Sequence, residues 1–376
     1  MTDVVIVEAV RTPQGKRGGA LSEIRADDLL AAVLAEVVRR AGIEPAVVED
    51  VVAGCVTQVG EQGANVARNA ALIAGLPVEV AAASVNRQCG SSHQAIHFAS
   101  QAIASGDMEV AIACGVESMS RVPLGTDYGE WNPRLMDRYH FVHQGIAAEM
   151  LVKRYGLTRE ECDRYSLQSH RRAARATDEG WFEREIMPLI GKSGGMVGAD
   201  EGIRRDTSLE KLATLPPVFQ TDGCVTAGNS SQISDGAAAV LLMSAQRAAA
   251  LGLRARARLL SRVVVGSDPQ IMFTGVVPAT RKALDRAGVR VADLDVIEIN
   301  EAFAPVVLAW AAEVEPDMAR VNPQGGAIAI GHPVGASGAR LMTTLLHALE
   351  RRGGRFGLEV VCIGWGMATA TVVERL

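Results

Sequence analysis

Aromatic side chains are scarce in this chain, only 4% of its 376 residues, so the interior must be filled by small and branched aliphatic groups that let helices and strands approach closely. No apolar run approaches the roughly 20 residues of a membrane span. The opening MTDVVIVEAVRTP has neither a basic stretch nor a cleavage site, so a soluble, cytoplasmic protein is expected. An excess of one charge is also missing: 38 Lys and Arg stand against 43 Asp and Glu, a net −5 that gives no general attraction to nucleic acid or an anionic membrane. The six cysteines form no CxxC pair, which argues against a zinc ribbon or a dithiol redox motif. In a reducing compartment they serve as core thiols or as catalysts. No metal set is expected either, because His93 and His97 share a helical face with no third ligand nearby.

What is present is alternation. The length exceeds the usual size of one core, which points to two domains or a duplicated one. Strand-like runs at Val4 to Glu8, Val51 to Val56, Ala82 to Asn86 and Val110 to Ala113 alternate with helical spacing at Ala26 to Ala41 and Asn65 to Ala74. This pattern predicts a largely parallel sheet with functional groups at strand C-terminal ends. A more polar stretch follows, with an amphipathic helix over Arg159 to Glu179, and Gly236 to Ser244 returns as a strand. The second half repeats the plan: strands at Arg258 to Val265, Asp295 to Ile299, Leu358 to Cys362 and Thr369 to Glu374, and helices at Thr280 to Ala287, Ala302 to Ala312 and Ala336 to Arg351. AGIEPAVVEDVV from Ala41 and AGVRVADLDVIE from Ala287 are the same helix end, loop and strand start. The organisation is therefore read as a first half of residues 1–115 plus 219–245, an inserted segment 116–218, and a second half 246–376.

Cys89 opens the helical segment SSHQAIHFASQAIA, where helix N–H groups and the dipole should lower a thiol's pKa and favour the thiolate. The plain alternative is a buried small hydrophobe. His332 stands before the third helix of the second half, where Cys89 stands in the first. Asn300 in NEAFA, and Cys362 with Gly364 in CIGWGMA, also fall at strand ends. Each has a plain reading as a cap, a core histidine or a buried thiol; together they argue for one site.

VNRQCGSSHQA, VTAGNSSQISDGAA, NEAFA, GGAIAIGHPVGASG and CIGWGMA, in that order, make the chain resemble the thiolase family along essentially its whole length. The resemblance implies an α/β thiolase fold, a duplicated five-layered αβαβα arrangement with the inserted segment as a loop domain. It implies acyl exchange between coenzyme A thioesters: Cys89 as nucleophile, His332 as its base, Cys362 as the acid or base at the substrate α-carbon. Asn300 would act through a water, and the Gly364 N–H as an oxyanion donor. Ser231, His143, Ala302 and Phe303 are implied as coenzyme A contacts, and Arg204 and Arg205 are the cations considered for its phosphates. Coenzyme A would be a cosubstrate, with no permanent cofactor, and the partner a second copy in a homodimer or homotetramer.

GCVTQVGEQGANVAR, SSQISDGAAAVL and EPDMARVN are similar to actinobacterial thiolases that shorten steroid side chains, which implies a degradative enzyme for a bulky acyl chain. Synthesis of acetoacetyl-CoA is the alternative direction, and a thiolase-like binding protein without turnover the alternative class. Trp365 interrupts a run that is usually glycine in the family, so it should narrow or reshape the acyl pocket. The loop Gly331 to Gly338 lacks a Walker lysine and the dinucleotide fingerprint, and a cysteine protease would leave Cys362 and NEAFA unexplained.

Overall fold

Runs of branched apolar residues and alanine-rich helices build two sheets of one plan. A computed structural model describes residues 2–376. The first sheet contains β1 (Val4–Arg11), β2 (Asp50–Gly54), β3 (Ala81–Val85), β4 (Val110–Ser118) and β5 (Ser234–Ser244), in the order β3-β2-β4-β5-β1. The second contains β6 (Ala257–Gly266), β7 (Val296–Ile299), β8 (Phe356–Ile363) and β9 (Met367–Arg375), in the order β7-β8-β9-β6. Val321 bridges Ile297 in parallel on the outer side of β7, the place β3 takes in the first sheet. The sheets join where Val5 and Ile6 of β1 pair with Arg258 and Ala257 of β6.

The expectation of a largely parallel sheet is not met. β2 runs parallel to β3 and β4, and β7 to β8, but β4–β5, β5–β1, β8–β9, β9–β6 and β1–β6 are antiparallel. The reason is connection length. Between β8 and β9 lie only Gly364, Trp365 and Gly366, far too few for a crossover, so the chain turns straight back.

The principal helices are α1 (Ala26–Ala41), α2 (Val66–Ile73), α3 (Ser91–Ser105), α4 (Gln144–Tyr155), α5 (Arg159–Asp178), α6 (Val276–Ala287), α7 (Ala304–Val314) and α8 (Ser337–Arg352). α1 and α2 cover the outer face of the first sheet, and α6 and α7 that of the second. Between the sheets, Ala95, Ile96 and Ala99 of α3 share a core with Met342, Leu345 and Leu346 of α8. The layers therefore run α/β/α/β/α. α3 and α8 touch at backbone distance: a Cβ on Gly338 would stand 2.2 Å from the His93 nitrogen, so only glycine fits there. α4, which periodicity does not reveal, buries small residues such as Ala147 and Ala148 and packs on α7.

The segment between β4 and β5 is pinned to the first sheet by a buried cation. Arg11, at the end of β1, places Nε 2.7 Å from Glu185 and Nη1 2.7 Å from Asp200, with all three side chains enclosed. These carboxylates hold the guanidinium charged against the cost of its burial. Arg11→Ala would leave two buried carboxylates without their partner. We expect it to lower unfolding free energy by about 3–5 kcal/mol in urea titration and to speed proteolysis between residues 119 and 233.

Candidate active site

β3 delivers the chain into a tight turn. The Asn86 side chain accepts from the Gln88 N–H at 2.9 Å, and Ser91 Oγ accepts from the Arg87 N–H at 2.9 Å while donating to the Gln88 carbonyl at 2.6 Å. These bonds hold Gln88 at φ +47°, a left-handed strain worth about 1–3 kcal/mol that the surroundings must enforce. Cys89 and Gly90 follow. A Cβ on Gly90 would lie 2.3 Å from Cδ1 of Ile363, so glycine lets the turn press onto the end of β8. This contact brings the second half's Gly364 to Cys89, close enough that the N–H groups of Gly364 and of Cys89 itself favour a thiolate there.

His332 lies on the loop leading into α8. The Ser337 hydroxyl donates to the Pro333 carbonyl at 2.9 Å, so it must accept from His332 Nδ1–H, 2.5 Å away. That fixes the tautomer and leaves Nε2 as the ring's acceptor nitrogen. Asn300 Nδ2 stands 3.4 Å from Nε2 and 3.8 Å from Cys362 Sγ, tying the histidine to the second thiol.

Burial dominates the titration of all three groups. It pushes Cys89 up to about 12, reinforced by Cys362 and only partly offset by the two N–H groups. It pushes Cys362 up to about 11 against a hydrogen bond from Asn300. It holds His332 at about 3, with Arg340 adding to the shift. The expected lowering of the Cys89 pKa at the helix start is therefore overturned. The residue keeps some exposure, yet its sulfur sits in dense protein where the desolvation of a thiolate outweighs two N–H dipoles. The resting site is a neutral thiol beside a neutral imidazole.

Cys89, His332 and Gly364 line one cavity of about 790 Å³, and so do Ser231, His143, Ala302 and Phe303. Cys362 and Asn300 are buried outside that lining, in contact through Asn300 with His332. The Ser231 N–H donates to the Ala302 carbonyl at 2.9 Å, joining the two halves along one wall. His143 Nδ1 accepts from the Gly145 N–H at 3.1 Å, and its ring stacks on Phe219 at 5.1 Å. Arg204 and Arg205 are not brought to this cavity; they line a separate cleft, where Arg205 pairs with Asp178 at 2.8 Å. His93 and His97 are buried between the sheets, both bonded to the Thr371 hydroxyl, at 2.6 and 2.7 Å.

Ser337 escaped the sequence reading, although its place five residues after His332 in the same glycine-rich motif was a usable signal. So did the rings of Tyr128, Trp131 and Phe141, which line the cavity from a segment without periodicity.

Residues 4–246 match the family model described as thiolase, N-terminal domain, and residues 253–375 the thiolase, C-terminal domain. The chain is 48% identical to the steroid 3-ketoacyl-CoA thiolase FadA6 of Mycobacterium tuberculosis, over 100% of its own length and 95% of that protein. It is 47% identical to a 3-ketoacyl-CoA thiolase of Aeromonas salmonicida, covering 100% of both. Its fold is similar to the crystal structure of the Bacillus anthracis acetyl-CoA acetyltransferase, with a TM-score of 0.93 and 40% identity over 100% of this chain and 99% of that one.

The neutral pair has a measurable signature. Without ligand, iodoacetamide labelling of Cys89, followed by peptide mass spectrometry, is expected to rise about tenfold per pH unit from pH 7 to 10, because the thiolate fraction grows toward a pKa of about 12. A plateau above pH 8 would show instead that the helix end activates the thiol.

Proposed function

The chain belongs to the thiolase family, and on that premise we propose that it exchanges acyl groups between coenzyme A thioesters, cleaving a 3-ketoacyl-CoA with free coenzyme A. The observation that carries this reading is the convergence of Cys89, with the N–H groups of Gly364 and of Cys89 itself near its sulfur, and His332, with Nε2 as its acceptor nitrogen, on one cavity backed by Cys362. The names of the relatives at 46–48% identity favour the degradative direction. The acetyltransferase likeness keeps condensation to acetoacetyl-CoA as the second reading, since the same groups serve both directions.

In the cleavage, His332 Nε2 takes the Cys89 proton as the sulfur attacks the 3-keto carbon. The oxyanion falls to the N–H groups of Cys89 and Gly364, a contribution of about 3–4 kcal/mol per donor. Collapse breaks the bond between the α and β carbons, and the departing acetyl-CoA enolate takes its proton from Cys362, whose raised pKa keeps it a thiol at neutral pH. The enolate oxygen is met by His332 and by Asn300, whose buried Oδ1 has no protein partner and suits a carboxamide that positions a water. Coenzyme A then gives its thiol proton to the Cys362 thiolate and attacks the acyl-Cys89 thioester. Cys89 leaves as thiolate and recovers its proton from His332, restoring every group.

Ser231, His143, Ala302 and Phe303 are proposed to guide the pantetheine arm, and segment 116–218 to act as the cap over it. A pair of chains joined through the edges of their first halves is the proposed assembly; β3, half exposed at the end of its sheet, offers such an edge. Sedimentation at micromolar concentration is expected to give a dimer or larger, and a monomer would refute it.

Two substitutions test the chemistry. Cys89→Ala is expected to abolish both thiolysis and the acyl-enzyme mass adduct. Cys362→Ala is expected to slow overall turnover by about 10²–10⁴-fold while acyl transfer from an acyl-CoA onto Cys89 persists. No loss of thioester from several chain lengths of 3-ketoacyl-CoA would defeat the proposal.

A further inference from the structure

Trp365 directly follows Gly364, the residue whose N–H faces the Cys89 sulfur, and it takes a left-handed backbone, φ +61°, between two glycines. A bulky ring is uncommon in that conformation and glycine would satisfy the turn without strain, so the position holds its ring at a conformational cost. The ring is not alone. It meets Trp131 edge to face at 5.4 Å, Tyr128 at 6.0 Å and Phe141 at 6.5 Å, while Trp131 stacks on Phe141 at 5.6 Å and 17°. Four rings of an aromatic-poor chain thus gather on the wall of the cavity that contains Cys89. They are not spent on a core: Trp131 and Tyr128 keep 41% and 48% of their surface exposed. A second run of rings, His143, Phe219 and Phe303, lies with the proposed pantetheine contacts.

Trp365 follows Gly364 in the chain, so the ring cluster stands on the part of the cavity wall next to the proposed oxyanion donor for an acyl group on Cys89. We propose that this wall selects acyl groups bearing a rigid carbocycle beside the thioester carbonyl, with Trp365 as the specificity-determining residue. The proposal rests on the acyl-exchange reading and names its substrate class. The ring faces offer a compact carbocycle a broad apolar contact, and an aromatic one the edge-to-face and stacked geometries that aromatic packing favours. A rigid ring arrives with few rotors to freeze, whereas an alkyl chain of equal carbon number loses several on binding.

Thiolysis of 3-oxo-3-cyclohexylpropanoyl-CoA and 3-oxo-3-phenylpropanoyl-CoA, compared with straight-chain 3-oxononanoyl-CoA of the same carbon number, tests this. The wild type is expected to favour the ring substrates in kcat/KM by about tenfold or more, the scale a shaped apolar pocket reaches. Trp365→Gly, which relieves the backbone, and Trp131→Ala are each expected to cut that ratio by about fivefold or more, and Trp365→Phe to retain it. Calorimetry on Cys89→Ala with cyclohexanecarbonyl-CoA and heptanoyl-CoA supplies a readout free of turnover, with the ring ligand binding more tightly. A ring preference in binding without thiolysis of any substrate supports the wall and counts against acyl exchange. Thiolysis of the straight chain with a ratio near one, or a ratio unmoved by Trp365→Gly, overturns the wall and leaves acyl exchange standing.

Discussion

The site is built on a close approach between the two halves, the seating of the Gly90 turn on Ile363. The turn belongs to the first half and the strand end to the second, and a methyl group at Gly90 would force the Ile363 side chain out of its packing against Cys89. Placement of a nucleophile to within a fraction of an ångström is worth several kcal/mol of barrier when the reacting groups come from separate elements. The five layers supply that placement by stacking α3 on α8 so closely that glycine is required at their crossing.

The same burial that fixes geometry sets the protonation states. A thiolate and an imidazolium would each be costly in this interior, so the protein keeps both groups neutral and leaves proton transfer to coincide with attack. Ser337 then matters out of proportion to its size: by occupying Nδ1 it decides which nitrogen acts as the base. Neutral partners also create no standing charge that an apolar acyl group would have to displace on entering.

Much of the fold was legible in the sequence because strand and helix periods are strong in both halves. α1 lies over the predicted Ala26 to Ala41, and the repeated AGIEPAVVEDVV and AGVRVADLDVIE segments mark equivalent places in the two sheets. Strand direction was not legible, since a run such as Met367–Arg375 reads the same whichever way its neighbour points; only the three-residue link before it carried the answer. Among site residues, Cys89, His332 and Gly364 share a cavity as their motifs suggested, with Cys362 and Asn300 just behind. The thiol's pKa was misjudged because a helix start is visible in sequence and the density of packing around one sulfur atom is not. Tyr128, Trp131 and Phe141 stayed hidden because a wall built from irregular backbone has no period to detect.

The seam between the sheets has a consequence for biosynthesis. β1 is made first, yet its hydrogen-bonding neighbours are β5, which begins at Ser234, and β6, which begins at Ala257. Until those residues leave the ribosome, this apolar strand has both edges bare, the arrangement most prone to pairing with another nascent polypeptide. Chaperone demand during translation should therefore centre on β1 rather than on the long segment that follows β4.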